Sequence, residues 1–103
     1  MRLLKFIVDG QKIRTDPGCD FSNLVPGTKG YLYVQFLLSP EWKGCKVAAS
    51  FWRYENEYPV LLKNGQCEIP EEVLIGKDFG ISLTGIRPGY ILKTNKIKVR
   101  QGG

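Results

Sequence analysis

Apolar and polar residues alternate with a period of two along most of this chain, the spacing of strands that turn one face to a core and the other to water. Residues 4–16 alternate on either side of Asp9-Gly10, a dipeptide that supplies the positive-φ positions of a tight hairpin turn. Strand, turn, strand is the reading. Residues 17–30 hold Pro-Gly and other glycine turns with little periodicity, and so form a loop. The run YLYVQFLL, residues 31–38, is apolar on both parities, as expected of a strand at the centre of a sandwich. Ser39-Pro40-Glu41-Trp42-Lys43-Gly44 ends it. In residues 46–54, Val47, Ala49 and Phe51 fall on one side, and Ala48, Ser50, Trp52 and Tyr54 fall on the other. Glu55-Asn56-Glu57 turns the chain, residues 58–62 form the partner strand, and Asn64-Gly65 is a strong hairpin signal leading to Cys67 and Ile69. These strands predict a three-stranded meander.

Residues 70–75, Pro-Glu-Glu-Val-Leu-Ile, are the only plausible helical piece, with proline at the first helical position and acids where they complement the helix dipole. Gly76 stops it after about one and a half turns. Phe79, Ile81 and Leu83 then alternate with small or polar residues up to the turn Arg87-Pro88-Gly89, and one strand returns through residues 90–100. Turns this regularly spaced predict an all-β fold: an immunoglobulin-like antiparallel β-sandwich of about seven strands, forming a single domain over residues 1–103. The apolar stripes nominate Leu4, Phe6, Val34, Phe36, Val47, Ala49, Phe51, Ile69, Ile81, Leu83, Ile97 and Val99 as core.

Composition agrees, since 43% hydrophobic and 24% charged residues lie near the average for globular domains and far from disorder. The opening residues 1–8 are interrupted by Arg2 and Lys5, and neither a membrane span nor a secretion signal is expected. Cys19, Cys45 and Cys67 make an odd set without C-x-x-C spacing, and the sequence has no histidine. Reduced thiols are therefore expected, with one disulfide plus a free thiol as the competing state. Charge is uneven. Lys93, Lys96, Lys98 and Arg100 close the chain without an acid, whereas residues 41–90 carry seven acids against six bases. A lysine-bearing strand that discourages edge-to-edge pairing accounts for this pole, with an acidic partner surface and nucleic acid as the other readings.

No residue pattern points to catalysis. Asp78-Phe79-Gly80 spells the metal-binding triplet of kinases, but the chain lacks the histidine, the glycine-rich loop and the length of that fold. Gly27-Thr28-Lys29-Gly30 lacks the first glycine and the Gly-Lys-Ser/Thr ending of a phosphate loop. A catalytic cysteine would miss its usual histidine base, and Cys45 and Cys67 read as small core residues. The carboxylate pairs Glu55/Glu57 and Glu71/Glu72 lie in polar turns, where they should be solvated. The expectation is no enzyme, no cofactor and no metal. Tyr31, Tyr33, Trp52 and Tyr54 beside the C-terminal lysines could serve a nucleic-acid-binding barrel, but their commoner use is to fill a core or its rim. A partner-binding surface is expected at Trp52, Tyr54 and Tyr58, because large aromatics off the core face anchor interfaces.

Several segments carry a resemblance across nearly the whole chain. They are FIVDGQKIRTD (residues 6–16), YVQFLLSPEWKGCKVAASF (33–51), VLLKNGQCEIPEEVL (60–74), and GISLTGI and TNKIKV (80–86 and 94–99). Taken together, these resemble a small β-sandwich module of tail- and baseplate-associated structural proteins in phages and prophages of Gram-positive bacteria. The resemblance implies a non-enzymatic adaptor made in the bacterial cytoplasm and located in the virion. Its partners would be other virion proteins and copies of itself, with neither nucleic acid nor membrane. No functional residues transfer with it. Other readings are a small phage-encoded effector that inhibits a host factor, and a nucleic-acid-binding β-barrel.

Overall fold

Alternation in the first strands sends Leu4, Phe6, Val8 and Ile13 inward, and the computed structural model, which describes residues 1–102, builds a sandwich on such stripes. Its strands are β1 (Arg2–Asp9), β2 (Lys12–Thr15), β3 (Leu32–Leu38), β4 (Lys46–Arg53), β5 (Asn56–Leu61), β6 (Gln66–Glu68), β7 (Asp78–Arg87), β8 (Tyr90–Lys93) and β9 (Ile97–Arg100). One sheet has the order β2-β1-β3-β6. The other runs β5-β4-β7-β8, with β9 also paired to β7. The all-β sandwich is thus the observed fold, with nine strands among the described residues rather than about seven.

Two features raise the count. The returning strand of residues 90–100 is interrupted at Thr94–Lys96, so β8 pairs with the second half of β7 and β9 with the first. In addition, Asn64-Gly65 does not close a meander. It carries the chain from the edge of one sheet to the edge of the other, where β6 pairs with β3. All pairings are antiparallel except β1 with β3, which run parallel from Arg2↔Leu32 to Val8↔Leu38. A parallel pair needs a long crossover, and the loop of residues 16–31 supplies it. The Arg2 guanidinium holds this loop by donating to the carbonyls of Asp20 (3.0 Å), Ser22 (2.6 Å) and Asn23 (3.3 Å).

The expected core residues are buried between the sheets, except Ile97, which is half-buried at the margin of the core. Leu24 from the crossover loop and Trp42 from a 3₁₀ turn at Pro40–Trp42 join them. Trp42 stops one end of the sandwich. Its indole Nε1 donates to the Gly10 carbonyl at 2.9 Å, and its ring lies against Gly85, where a Cβ would come within 2.8 Å of Cε3. The inward stripe of β7, Phe79-Ile81-Leu83, ends in glycine because the tryptophan occupies the next space. The helical piece of residues 70–75 is a single 3₁₀ turn, Glu71–Val73, that buries Val73. Buried Gln101 fastens it, its Nε2 donating to the carbonyls of Leu74 (3.0 Å) and Gly76 (3.1 Å).

One open side of the sandwich is pinned by Asn95. Its Oδ1 accepts from the Ile13 amide at 2.9 Å and its own amide donates to the Gln11 carbonyl at 3.1 Å. Gln11 Nε2 in turn donates to the Lys93 carbonyl at 3.1 Å. The interruption between β8 and β9 is therefore the point at which one sheet reaches the edge of the other.

Candidate interaction face

Residues paired across a sheet share a face, so the register identifies the outward side of the second sheet. Across β5, β4, β7 and β9, one row reads Glu57, Trp52, Gly80 and Lys98. A row near the other end reads Leu61, Ala48, Thr84 and Lys93, and beyond it come Lys46, Ile86 and Ile91. The face has an aromatic end and an aliphatic end.

At the aromatic end Trp52 lies half-buried, with its Nε1 donating to Ser82 Oγ at 3.1 Å. The Lys96 ammonium sits 3.7 Å from the centre of its ring. The lysine stem crosses over Gly80, where a Cβ would stand 3.1 Å from Lys96 Cδ. Glycine at 80 thus lets the lysine lie down on the tryptophan, a contact worth about 0.5–1 kcal/mol at an exposed site. Trp52, Tyr54, Asp78, Lys96 and Lys98 line a groove of about 430 Å³. Beside Trp52, Ser50 is outward yet buried, and its hydroxyl donates to the Glu57 carboxylate at 2.5 Å.

Tyr54 occupies the first position of the two-residue turn between β4 and β5, with φ +55°. This is the left-handed region, which costs a non-glycine residue roughly 1–2 kcal/mol. The residue is 85% exposed. A bulky side chain kept in a strained turn with most of its surface in water is poorly explained by folding. Tyr58 goes elsewhere. It pairs with Phe51, so it lies on the core side of the sheet and packs half-buried against the core margin. Of the three aromatics expected to form one surface, Trp52 and Tyr54 meet and Tyr58 does not.

The aliphatic end was not singled out from the sequence. Leu61 is 69% exposed, Ile91 66% and Ile86 53%. Period-two parity puts Ile86 on the outward side of β7, but only the cross-strand register sets Ile91 opposite it and places Leu61 on the same face, across β4. Lys46, Ile86, Arg87 and Ile91 line a shallow groove of about 930 Å³ around the β7–β8 hairpin.

The thiols and carboxylates lie apart from both ends. Burial, with the Glu68 charge adding to it, pushes the Cys67 thiol up to about 12, which keeps it protonated. Cys19 and Cys45 are half-buried, and all three are free. Glu71 makes an exposed ion pair with Lys29 at 3.4 Å. Among the described residues no group of three or more His, Cys, Asp or Glu could hold a metal ion, and no helix is long and apolar enough to cross a membrane. No protein-family model matches the chain, and neither a curated protein nor a solved structure matches it.

Proposed function

We propose that this chain is a non-enzymatic assembly module of a phage or prophage particle, an adaptor of the tail or baseplate that docks on other virion proteins. The observation that carries the docking reading is the set of large apolar side chains left uncovered on the outward side of one sheet. Tyr54, Leu61, Ile86 and Ile91 all expose more than half of their surface, and Ile86 and Ile91 stand directly opposite each other across β7 and β8, whereas exposed apolar residues on a monomer are commonly scattered singly. The particle context rests on the segment resemblance. The sheet edges argue for contact through faces: β5 carries Pro59, while β2, β6, β8 and β9 are four residues or shorter, and short or proline-bearing edges resist strand addition.

The test has two parts. Mass spectrometry of purified particles from the phage or prophage that encodes the chain should find it at a fixed copy number, and its absence would refute the particle reading. Trp52→Ala and Ile86→Asp should each reduce incorporation by about 2 kcal/mol or more in apparent affinity while the monomer stays folded. Incorporation at the parental level by both variants would refute the face.

A further inference from the structure

The aliphatic end of the outward face carries cations that have no acidic partner among the described residues, Lys93 reaching only the Thr84 hydroxyl at 3.4 Å. Lys46 lies in the same row as Ile86 and Ile91, and Lys93 in the row of Leu61 and Ala48. Neither row contains an acid. The acids on outward strand positions, Glu57 and Asp78, sit at the aromatic end, and Glu57 already receives the Ser50 hydroxyl. Among the described residues the only ion pair is Lys29 with Glu71, and neither belongs to this sheet. Arg87 stacks on Tyr90 at 3.8 Å and donates to the Lys43 carbonyl at 2.7 Å, which brings a further positive charge to the groove's lip.

Three occupants could answer such a surface, and the geometry separates them. A second copy packed through this same face would bring the same lysines near these, and like charges juxtaposed in an interface cost several kcal/mol. A single-stranded nucleic acid needs open aromatic faces on which to stack bases. Here Lys96 covers Trp52 and Arg87 covers Tyr90, and the exposed ring of Tyr54 stands at the other end of the face, away from the hairpin groove. The surface that stays open between the cations is aliphatic, which favours branched apolar side chains over bases.

Resting on the protein-docking reading above, we propose that the aliphatic end of the outward face, centred on the groove around the β7–β8 hairpin, receives an acidic protein segment whose aliphatic side chains pack on Ile86 and Ile91 while its carboxylates meet Lys46 in the groove and Lys93 in the row beside it. Apolar contact supplies the affinity, and the charges set orientation and exclude competitors.

The test uses the full chain and a fluorescent peptide of about ten residues in which Asp or Glu alternates with Leu or Ile, a length that spans a strand-sized groove. Fluorescence anisotropy should show binding at low salt that weakens about tenfold in about 0.5 M salt, as screening shortens the reach of the lysines. The same peptide with Gln for every acid should bind at least about tenfold more weakly, as should Lys46→Glu/Lys93→Glu and Ile86→Ser with unchanged melting temperature. Leu37→Ser, on the outward side of the other sheet, should bind as the parent does and controls for general loss of apolar surface. Oligo(dT) bound more tightly than the peptide would replace the acidic segment by nucleic acid. Self-association abolished by Ile86→Ser would replace it by a second copy. Absence of peptide binding, or equal binding of the Gln peptide, would overturn the proposal. Loss of particle incorporation by Ile86→Asp without peptide binding would leave the docking reading standing and remove only the acidic partner. Peptide binding by a chain absent from particles would do the reverse.

Discussion

Gly85→Ala tests the close approach that plugs the sandwich. The added methyl would sit 2.8 Å from Trp42 Cε3, 2.9 Å from Cζ3 and 3.2 Å from the Cys45 Cβ. Carbon atoms pack best at about 3.5–4.0 Å, so the indole would have to retreat by nearly an ångström. It is not free to do so. Trp42 is 2% exposed and its Nε1 is held by the Gly10 carbonyl at 2.9 Å. If the ring stays, overpacking costs about 1–3 kcal/mol. If it moves, a buried hydrogen bond is broken, at about 1–3 kcal/mol. A loss of about 2–3 kcal/mol is expected by urea denaturation at constant m-value, with altered near-ultraviolet dichroism from the tryptophan. In a Trp42→Leu background the same alanine should be at least about 1 kcal/mol less harmful, because the atoms it strikes are gone. A loss below about 0.5 kcal/mol, or no coupling between the two substitutions, would refute the account of the plug.

Phe51→Ala, at a fully buried site in β4, should cost about 3–5 kcal/mol by the same denaturation assay. Asn95→Ala removes the acceptor of the Ile13 amide and should cost about 1–3 kcal/mol, whereas Asn95→Asp keeps the acceptor and should lose less. Tyr54→Gly relieves the left-handed turn and should leave the protein equally stable or up to about 1 kcal/mol more so, while reducing particle incorporation. Cys67 should resist iodoacetamide at pH 8 until the protein unfolds, because its thiol is raised to about 12 in the fold. Its linkage has a definite sign. The unfolded chain releases this proton at lower pH than the folded one does, so the stability tied to the neutral thiol is complete below about pH 9 and declines toward pH 12. A rise in stability over that window on converting Cys67 to Ser would support the sign, measured as the difference between the two proteins' pH profiles.

Local pattern carried the strands and not their partners. Alternation placed Phe51, Ile81 and Val99 inside, because parity within one strand needs no knowledge of its neighbours. Trp42 escaped the same logic. It follows Ser39-Pro40 in a segment that reads as a turn, and only its distance to Gly85 and Gly10 reveals it as core. The Asn64-Gly65 turn was legible as a turn, yet the switch of sheet that it makes depends on the pairing of β6 with β3. Tyr58 shows the limit at the site itself. Its position relative to Trp52 is fixed by the β4–β5 register, and a two-residue turn puts it opposite Phe51 rather than beside the indole. The aliphatic end was hidden for a related reason, since Leu61, Ile86 and Ile91 lie on three strands, and only the pairing of those strands in one sheet sets Ile86 opposite Ile91 and turns Leu61 to the same face.

The parallel β1–β3 pair has a kinetic consequence. β3 lies between β1 and β6, and both partners are distant in sequence, so only the short β1–β2 hairpin of that sheet can form locally. The other sheet contains the β4–β5 and β7–β8 hairpins, whose turns close cheaply. Refolding should therefore begin in the second sheet. β3 would dock late, after the crossover loop has lost its freedom, and the whole process should take milliseconds to seconds, as non-local β topologies do. Substitutions at Val34 should then speed unfolding more than they slow folding, while those at Ala49 or Leu83 should slow folding.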